Sequence, residues 1–226
     1  MSFRTAYNAL ATPFVLGKLA LRGRRRDRAA ALTHGVEGPR YCERIWVRLD
    51  EVREESLTRG AKTAVVMGGD WYKNARPLTD NPKIAYCLRH WRDGLTWDET
   101  GAIDYTMGQI SDNVVYDHLT TKAQVLRRFA TLDRIFEQVR RENRIRPVRE
   151  YRFLRYREQG GLMFHIGPDG RPMFAGGGHH RVGMALALGL REVPAMVLLA
   201  HPNGLWALPR LRQPVGTEAA PLIQES

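Results

Sequence analysis

Leu162-Met-Phe-His-Ile166, Gly167-Pro-Asp-Gly170, Arg171-Pro-Met-Phe-Ala175, Gly176-Gly-Gly-His-His-Arg181, Val182-Gly-Met-Ala-Leu-Ala-Leu-Gly189 and Val193-Pro-Ala-Met-Val-Leu-Leu199 follow one another almost without a break. Two apolar runs, 162–166 and 172–175, flank a Gly-Pro-Asp-Gly turn, which spells a β-hairpin. Val182, Ala185, Leu186 and Leu188 then recur at helical spacing, and Gly189 supplies a C-cap. Residues 193–199 return as a strand with Pro194 at its start. This strand-hairpin-helix-strand order gives an α/β (α+β) fold class, a small mixed sheet carrying one helix that starts at a glycine run.

Gly176, Gly177 and Gly178 let the backbone turn sharply with no Cβ between it and a ligand. Glycine-freed amides, the unpaired N–H groups of a first helical turn, and His179, His180 and Arg181 all converge where an anion would sit, and phosphate is the natural guest. The competing reading is a plain tight turn with two surface histidines. A zinc set of His165, His179 and His201 is a further alternative, although adjacent histidines seldom aim at one ion.

The rest of the chain bounds this reading. With 226 residues, 43% of them hydrophobic, a real core is available. Cys42 and Cys87 lie far apart without CxxC spacing, so a disulfide framework is not indicated and a reduced, cytoplasmic setting is expected. The net charge is +11, of which residues 1–28 hold +6, with Arg4, Lys18, Arg22, Arg24, Arg25, Arg26 and Arg28 against Asp27. No run reaches the roughly 18 to 20 apolar residues of a membrane span, and the order of apolar and basic segments is wrong for a cleaved signal peptide. Phe3, Tyr7, Leu10 and Phe14 recur at helical spacing ahead of the basic cluster. That suits either an amphipathic helix peripheral at an anionic membrane surface or a docked terminal helix with solvated arginines. Residues 29–40, with Gly35, Gly38 and Pro39, read as a linker.

Further along, Arg44–Leu49 alternates as a half-buried strand. Asp50, Glu51, Glu54 and Glu55 read as the first turns of a helix. Ala64–Met67 is a short strand entering the Gly68-Gly69-Asp70-Trp71 turn. A helical insertion is expected over about 82–142. Its first helix carries Ile84, Leu88 and Trp91, and Thr96 caps the second. The third, 121–142, has a Val125, Phe129, Leu132, Phe136, Val139 stripe and a Thr121/Gln124 capping box. Arg127, Arg128, Arg134, Arg140 and Arg141 on its other face suit nucleic acid or plain solvation. The interleaved arginines and aromatics of 149–157 read as a stacking surface or an edge strand. The Pro-rich 202–226 reads as an irregular tail.

Gly170-Arg-Pro-Met-Phe-Ala-Gly-Gly-Gly-His-His-Arg181, the helix after it, Leu188-Gly189-Leu190 and Val193–Val197 resemble the nucleotide-binding core of the ParB/sulfiredoxin superfamily. Sulfiredoxins carry Gly-Gly-Cys-His-Arg at this loop, and ParB proteins carry Gly-Glu-Arg-Arg. The resemblance implies that Gly177, Gly178, His179, His180 and Arg181, together with Gly176, hold the phosphates of ATP, ADP or CTP. The sulfiredoxin cysteine is His179 here, which argues against sulfinic-acid reduction. No helix-turn-helix pattern follows the core, which argues against chromosome segregation.

A free serine kinase of that superfamily uses an acid just after its first strand, and the resemblance extends that role to the Asp50–Glu54 stretch. The function expected is therefore a nucleotide-dependent phosphotransferase or hydrolase acting on a small or saccharide-like acceptor. Arg181 and the helix start would bind phosphate, Glu51 would take the acceptor proton, Asp70 would serve catalysis by holding Mg2+, and His180 is a further catalytic candidate. The alternative is a nucleotide-responsive DNA- or RNA-binding module using residues 1–28, the 121–142 helix and the 149–157 run. A nuclease would need clustered metal-binding acids, for which no compelling set is present.

Overall fold

The computed structural model describes residues 3–58, 63–152 and 154–215, with side chains from residue 15 onward within that range. Among these residues the protein is mixed α/β, with seven α-helices and a seven-stranded sheet. The longest strand, β7 (Glu192–Ala200), lies inside the sheet. On one side of it β1 (Ile45–Arg48) pairs antiparallel and β3 (Val65–Val66) pairs parallel. On the other side β5 (Leu162–Ile166) runs parallel to it, and β5 is joined as a hairpin to β6 (Pro172–Phe174). Beyond β6 come β2 (Glu54–Ser56) and, at the edge, β4 (Ala75–Pro77).

The hairpin, helix and return strand fall where the turn chemistry places them. Gly170 turns at φ 75°, and α6 (His179–Ala187) starts directly after the three glycines. Helix α6 packs on α2 (Pro82–Trp91), and the crossing is close: a Cβ on Gly183 would stand 2.5 Å from the Cys87 Cβ. Asn81 caps α2 by accepting from the Lys83 amide at 2.9 Å, with Pro82 in the first turn where its missing N–H costs nothing. Helices α3 (Ala102–Asn113) and α4 (Lys122–Glu142) complete the insertion. The α4 stripe Val125, Phe129, Leu132, Phe136 and Val139 is buried as expected, with Phe136 stacked on Trp91 at 4.8 Å and Phe129 on Trp97 at 4.6 Å. Each such side chain contributes about 1.5–3 kcal/mol through burial.

Several expectations are corrected. Helix α1 (Phe3–His34) runs through most of the expected linker, because Ala29-Ala30-Ala31-Leu32 favours helix and the chain turns only at Gly35, φ 58°. The Phe3–Phe14 stripe lies outside the residues whose side chains are described. Asp50–Glu55 does not open a helix: a single 3-10 turn (Leu49–Glu51) leads into β2, which is captured between β6 and β4, so tertiary pairing overrides local propensity. The Thr96/Glu99 box closes a turn rather than capping a helix, and α3 begins after Gly101 at φ 73°.

The 149–157 run is not an edge strand, and among its described residues Arg149, Tyr151, Arg152 and Arg155 stay exposed. It holds the short helix α5 (Val148–Tyr151) and turns tied down by Glu158, which is 1% exposed, accepts from the Val148 amide at 2.9 Å and pairs with Arg44 at 3.0 Å. The start of the expected tail is ordered as well. Pro202–Ala207 and α7 (Leu208–Leu211) bury Leu205, Leu208 and Leu211, and Arg212 holds Glu43 at 2.8 Å. No helix among the described residues is long and apolar enough to cross a membrane.

Candidate functional site

The glycine run enters α6 through three successive left-handed residues: Gly176 at φ 99°, Gly177 at 70° and Gly178 at 118°. A Cβ on Gly178 would lie 2.8 Å from the Arg181 guanidinium and 2.9 Å from Leu162, so glycine is required there twice over, by conformation and by space. The first α6 amide bonded to a backbone carbonyl is that of Val182, to Gly178 at 3.1 Å. Among the described residues the amides of His179, His180 and Arg181 have no backbone acceptor, and they share the positive end of the helix dipole.

Arg181 reaches back over the loop. Its guanidinium donates to the Tyr151 hydroxyl at 3.0 Å, the Gly177 carbonyl at 3.2 Å and the Gly160 carbonyl at 3.3 Å. All three acceptors are neutral, and among the described residues no carboxylate hydrogen-bonds to it. Burial makes its charged form less favourable than usual, so an arriving anion would find an under-compensated cation.

This side of the α6 start opens into a cleft of about 430 Å3 between α4 and the 144–160 segment. Leu132, Ile135, Val139, Ile145 and Met184 supply apolar lining, while Arg128, Arg144, Arg146, Arg152 and Arg181 face it with Glu142 as the single acid. Glu142 is already held by Arg146, and Arg144 by Glu150 at 2.7 Å. His180 also lines the cleft. Its Nε2 stands 2.8 Å from the Tyr86 hydroxyl, and burial pushes the imidazole down to about 3, so it is neutral at physiological pH. Burial also holds the Tyr86 phenol in its protonated form. In the tautomer where Tyr86 donates to Nε2, His180 carries its proton on Nδ1 and is a neutral hydrogen-bond donor.

The other side of the α6 start is built differently. The pairing of Glu55 with Phe174 brings a buried carboxylate beside the loop, and His179 Nε2 meets Glu55 Oε1 at 3.0 Å. Asn81 donates to both Glu55 oxygens at 2.9 and 2.8 Å, and Arg76 donates to Oε2 at 2.8 Å. Burial pushes the Glu55 carboxyl up, but these hydrogen bonds and the Arg76 charge outweigh it and hold it below the usual carboxylate range. Burial lowers His179, and Glu55 opposes that only in part. A neutral His179 donating from Nε2 to an ionised Glu55 presents its Nδ1 as a proton acceptor, the logic of a carboxylate-oriented imidazole base. Lys83, paired with Asp117 and set against the Tyr116 ring at 4.5 Å, adds a cation whose charge is felt at both histidines.

Of the residues expected from sequence, Gly176 to Arg181 come together as one site. Glu51 and Asp70 do not join it. Glu51 is bound by Arg210 at 2.9 and 3.0 Å on the far strand connection, and Asp70 pairs with Lys73 at 2.8 Å in its own exposed turn. Asp70 thus presents no carboxylate to the loop for a metal ion. His165, His179 and His201 do not converge either. His165 Nδ1 accepts from the Leu199 amide at 3.2 Å inside a β-bulge, and His201 caps Asn203. Among the described residues no cluster of three or more His, Cys, Asp or Glu side chains suits a metal.

Glu55, Asn81, Arg76 and Tyr86 were not singled out as site residues from sequence. Asn81-Pro82 carried a readable signal as a helix cap, whereas Glu54-Glu55-Ser56 shows no apolar alternation to mark it as a strand. A scan against protein-family models finds no match to this chain, and neither do searches of curated proteins and of solved structures.

Proposed function

We propose that the α6 start binds nucleotide phosphate and that the protein is a nucleotide-dependent phosphotransferase built on a ParB/sulfiredoxin-like core. The observation that carries this reading is Arg181: a guanidinium whose partners among the described residues are all neutral, set beside three helix-start amides with no backbone acceptor among those residues and facing a cleft rimmed by arginines. A volume of about 430 Å3 is in the range of small-molecule sites, and the apolar lining suits a base while the rim arginines suit phosphates.

The chemistry follows from the two sides of the helix start. The nucleotide enters from the cleft, with its phosphates against the amides of His179, His180 and Arg181 and the Nδ1–H of His180. A small hydroxyl-bearing acceptor approaches from the Glu55 side. As the acceptor oxygen bonds to the terminal phosphorus, its proton passes to His179 Nδ1, the imidazolium is stabilised by Glu55, and the bond to the bridging oxygen breaks to release the nucleoside diphosphate. The catalytic carboxylate in this reading is Glu55, with His179 as base.

The test is a His179→Gln variant. It should retain ATP affinity within a few-fold yet lose transfer of labelled terminal phosphate to a panel of amino-acid and sugar hydroxyls by about 100-fold or more. Wild-type protein that binds none of ATP, ADP, CTP or GTP, with or without Mg2+, refutes the phosphate site. Binding without transfer to any hydroxyl or to water refutes the phosphotransferase reading alone.

A further inference from the structure

We infer that the outward face of α1 docks on an anionic lipid surface. The 32-residue helix is about 48 Å long. Its inner face is fixed by its second half. Gly23 packs so closely on Tyr156 that a Cβ would lie 2.3 Å from the hydroxyl. Asp27, the one acid in the first 28 residues, accepts from the Tyr41 amide at 2.7 Å and pairs with Arg157 at 2.7 Å.

At about 100° per residue, positions 21, 25, 28 and 32 lie on the side opposite Gly23 and Asp27. There Leu21 is 52% and Leu32 81% exposed, and Arg25 and Arg28 are exposed beside them. Arg24, Arg25 and Arg28 make no hydrogen bond or ion pair among the described residues. Positions 3, 7, 10 and 14 continue the same line toward the N-terminus, and the sequence places Phe, Tyr, Leu and Phe there. Among the described side chains this face sets Leu21 and Leu32 beside Arg25 and Arg28, while Asp27, the one acid of residues 1–28, is turned inward.

Three occupants are conceivable, and charge and hydropathy choose between them. A second copy of α1 would set Arg25 and Arg28 against arginines of the same seam. A polynucleotide would neutralise the arginines but leave Leu21 and Leu32 in water. An anionic bilayer surface takes both, with the apolar side chains at the headgroup boundary and the guanidinium groups among the phosphates.

The experiment is flotation of the full chain with phosphatidylcholine vesicles, with and without about 30% phosphatidylglycerol, alongside a mobility shift with single- and double-stranded oligonucleotides. The inference predicts partition to the anionic vesicles only. Arg24→Gln/Arg25→Gln/Arg28→Gln should lower that partition by roughly 100-fold, and Leu10→Ser/Leu21→Ser should weaken it as well, with unchanged circular dichroism and unchanged nucleotide binding. Absence of partition, equal partition to neutral vesicles, or partition insensitive to both variants overturns it. Loss with the arginine variant alone, together with oligonucleotide binding lost in the same variant, assigns the face to nucleic acid and overturns it too.

Discussion

The two sides of the α6 start use the same short loop for opposite electrostatic ends. On the cleft side His180 and Arg181 are held by neutral groups, Tyr86, Tyr151 and two carbonyls, so positive charge and N–H donors are left over. On the sheet side His179 meets Glu55, whose carboxylate is filled by Asn81 and Arg76, so charge is balanced and a lone pair is left over. In the proposed reading one side holds an anion and the other moves a proton. The difference also separates what should break the fold from what should break only binding.

The largest contrast is in stability. Glu55→Ala strips a 6% exposed hub from Arg76, Asn81 and His179 and should cost about 3–5 kcal/mol in urea denaturation. Arg128→Ala, on the solvent-facing wall of the cleft, should cost under about 0.5 kcal/mol. Equal losses would erase the distinction between the two sides. Next, Gly178→Ala puts a Cβ into Arg181 and Leu162 at φ 118° and should cost about 1–3 kcal/mol while also weakening nucleotide binding.

Acid should act through the buried histidines. His165 and His180 are held near 4 and 3 in the fold against an ordinary value of 6.5, so the unfolded chain takes up their protons first. Their contribution is complete above about pH 6.5 and should fall by roughly 1.4 kcal/mol per pH unit per histidine as the pH drops toward 4. Chemical denaturation at stepped pH measures this, and His165→Asn should make the slope shallower. The smallest effect is Tyr86→Phe, which removes one hydrogen bond to His180 for about 1 kcal/mol and leaves the base side untouched. Phosphate transfer lost as completely as in His179→Gln would contradict the division of roles.

The glycine loop is legible in the sequence because it is local, whereas the cleft it faces is closed by α4 and the 144–160 segment. Gly176–Arg181, the hairpin before it and the strand after it lie within one continuous segment, and turn glycines and helical spacing are short-range signals. The sheet side is assembled across the chain. Glu55 reaches His179 only because β2 pairs parallel with β6, a contact spanning 124 positions between the two side chains. Local spacing reads the acids of 50–55 as a helix start, a sound inference defeated by that pairing, and the kinase resemblance points to Glu51 rather than Glu55; Glu51 serves Arg210, and Asp70 serves Lys73. The order of 202–211 is hidden from local sequence for a related reason: its prolines sit in first turns, and Gly204 meets Gly167 so closely that a Cβ would stand 1.9 Å from the carbonyl.

The central claim is that the α6 start and its cleft hold nucleotide phosphate. Calorimetric titration of ATP into the wild type, Arg181→Ala and Arg128→Ala/Arg152→Ala tests it most directly. Saturable one-to-one binding, weakened about tenfold or more in each variant while their folds persist by circular dichroism, is the predicted result. Wild-type binding that neither variant weakens, or no binding of ATP, ADP, CTP or GTP at all, would contradict it.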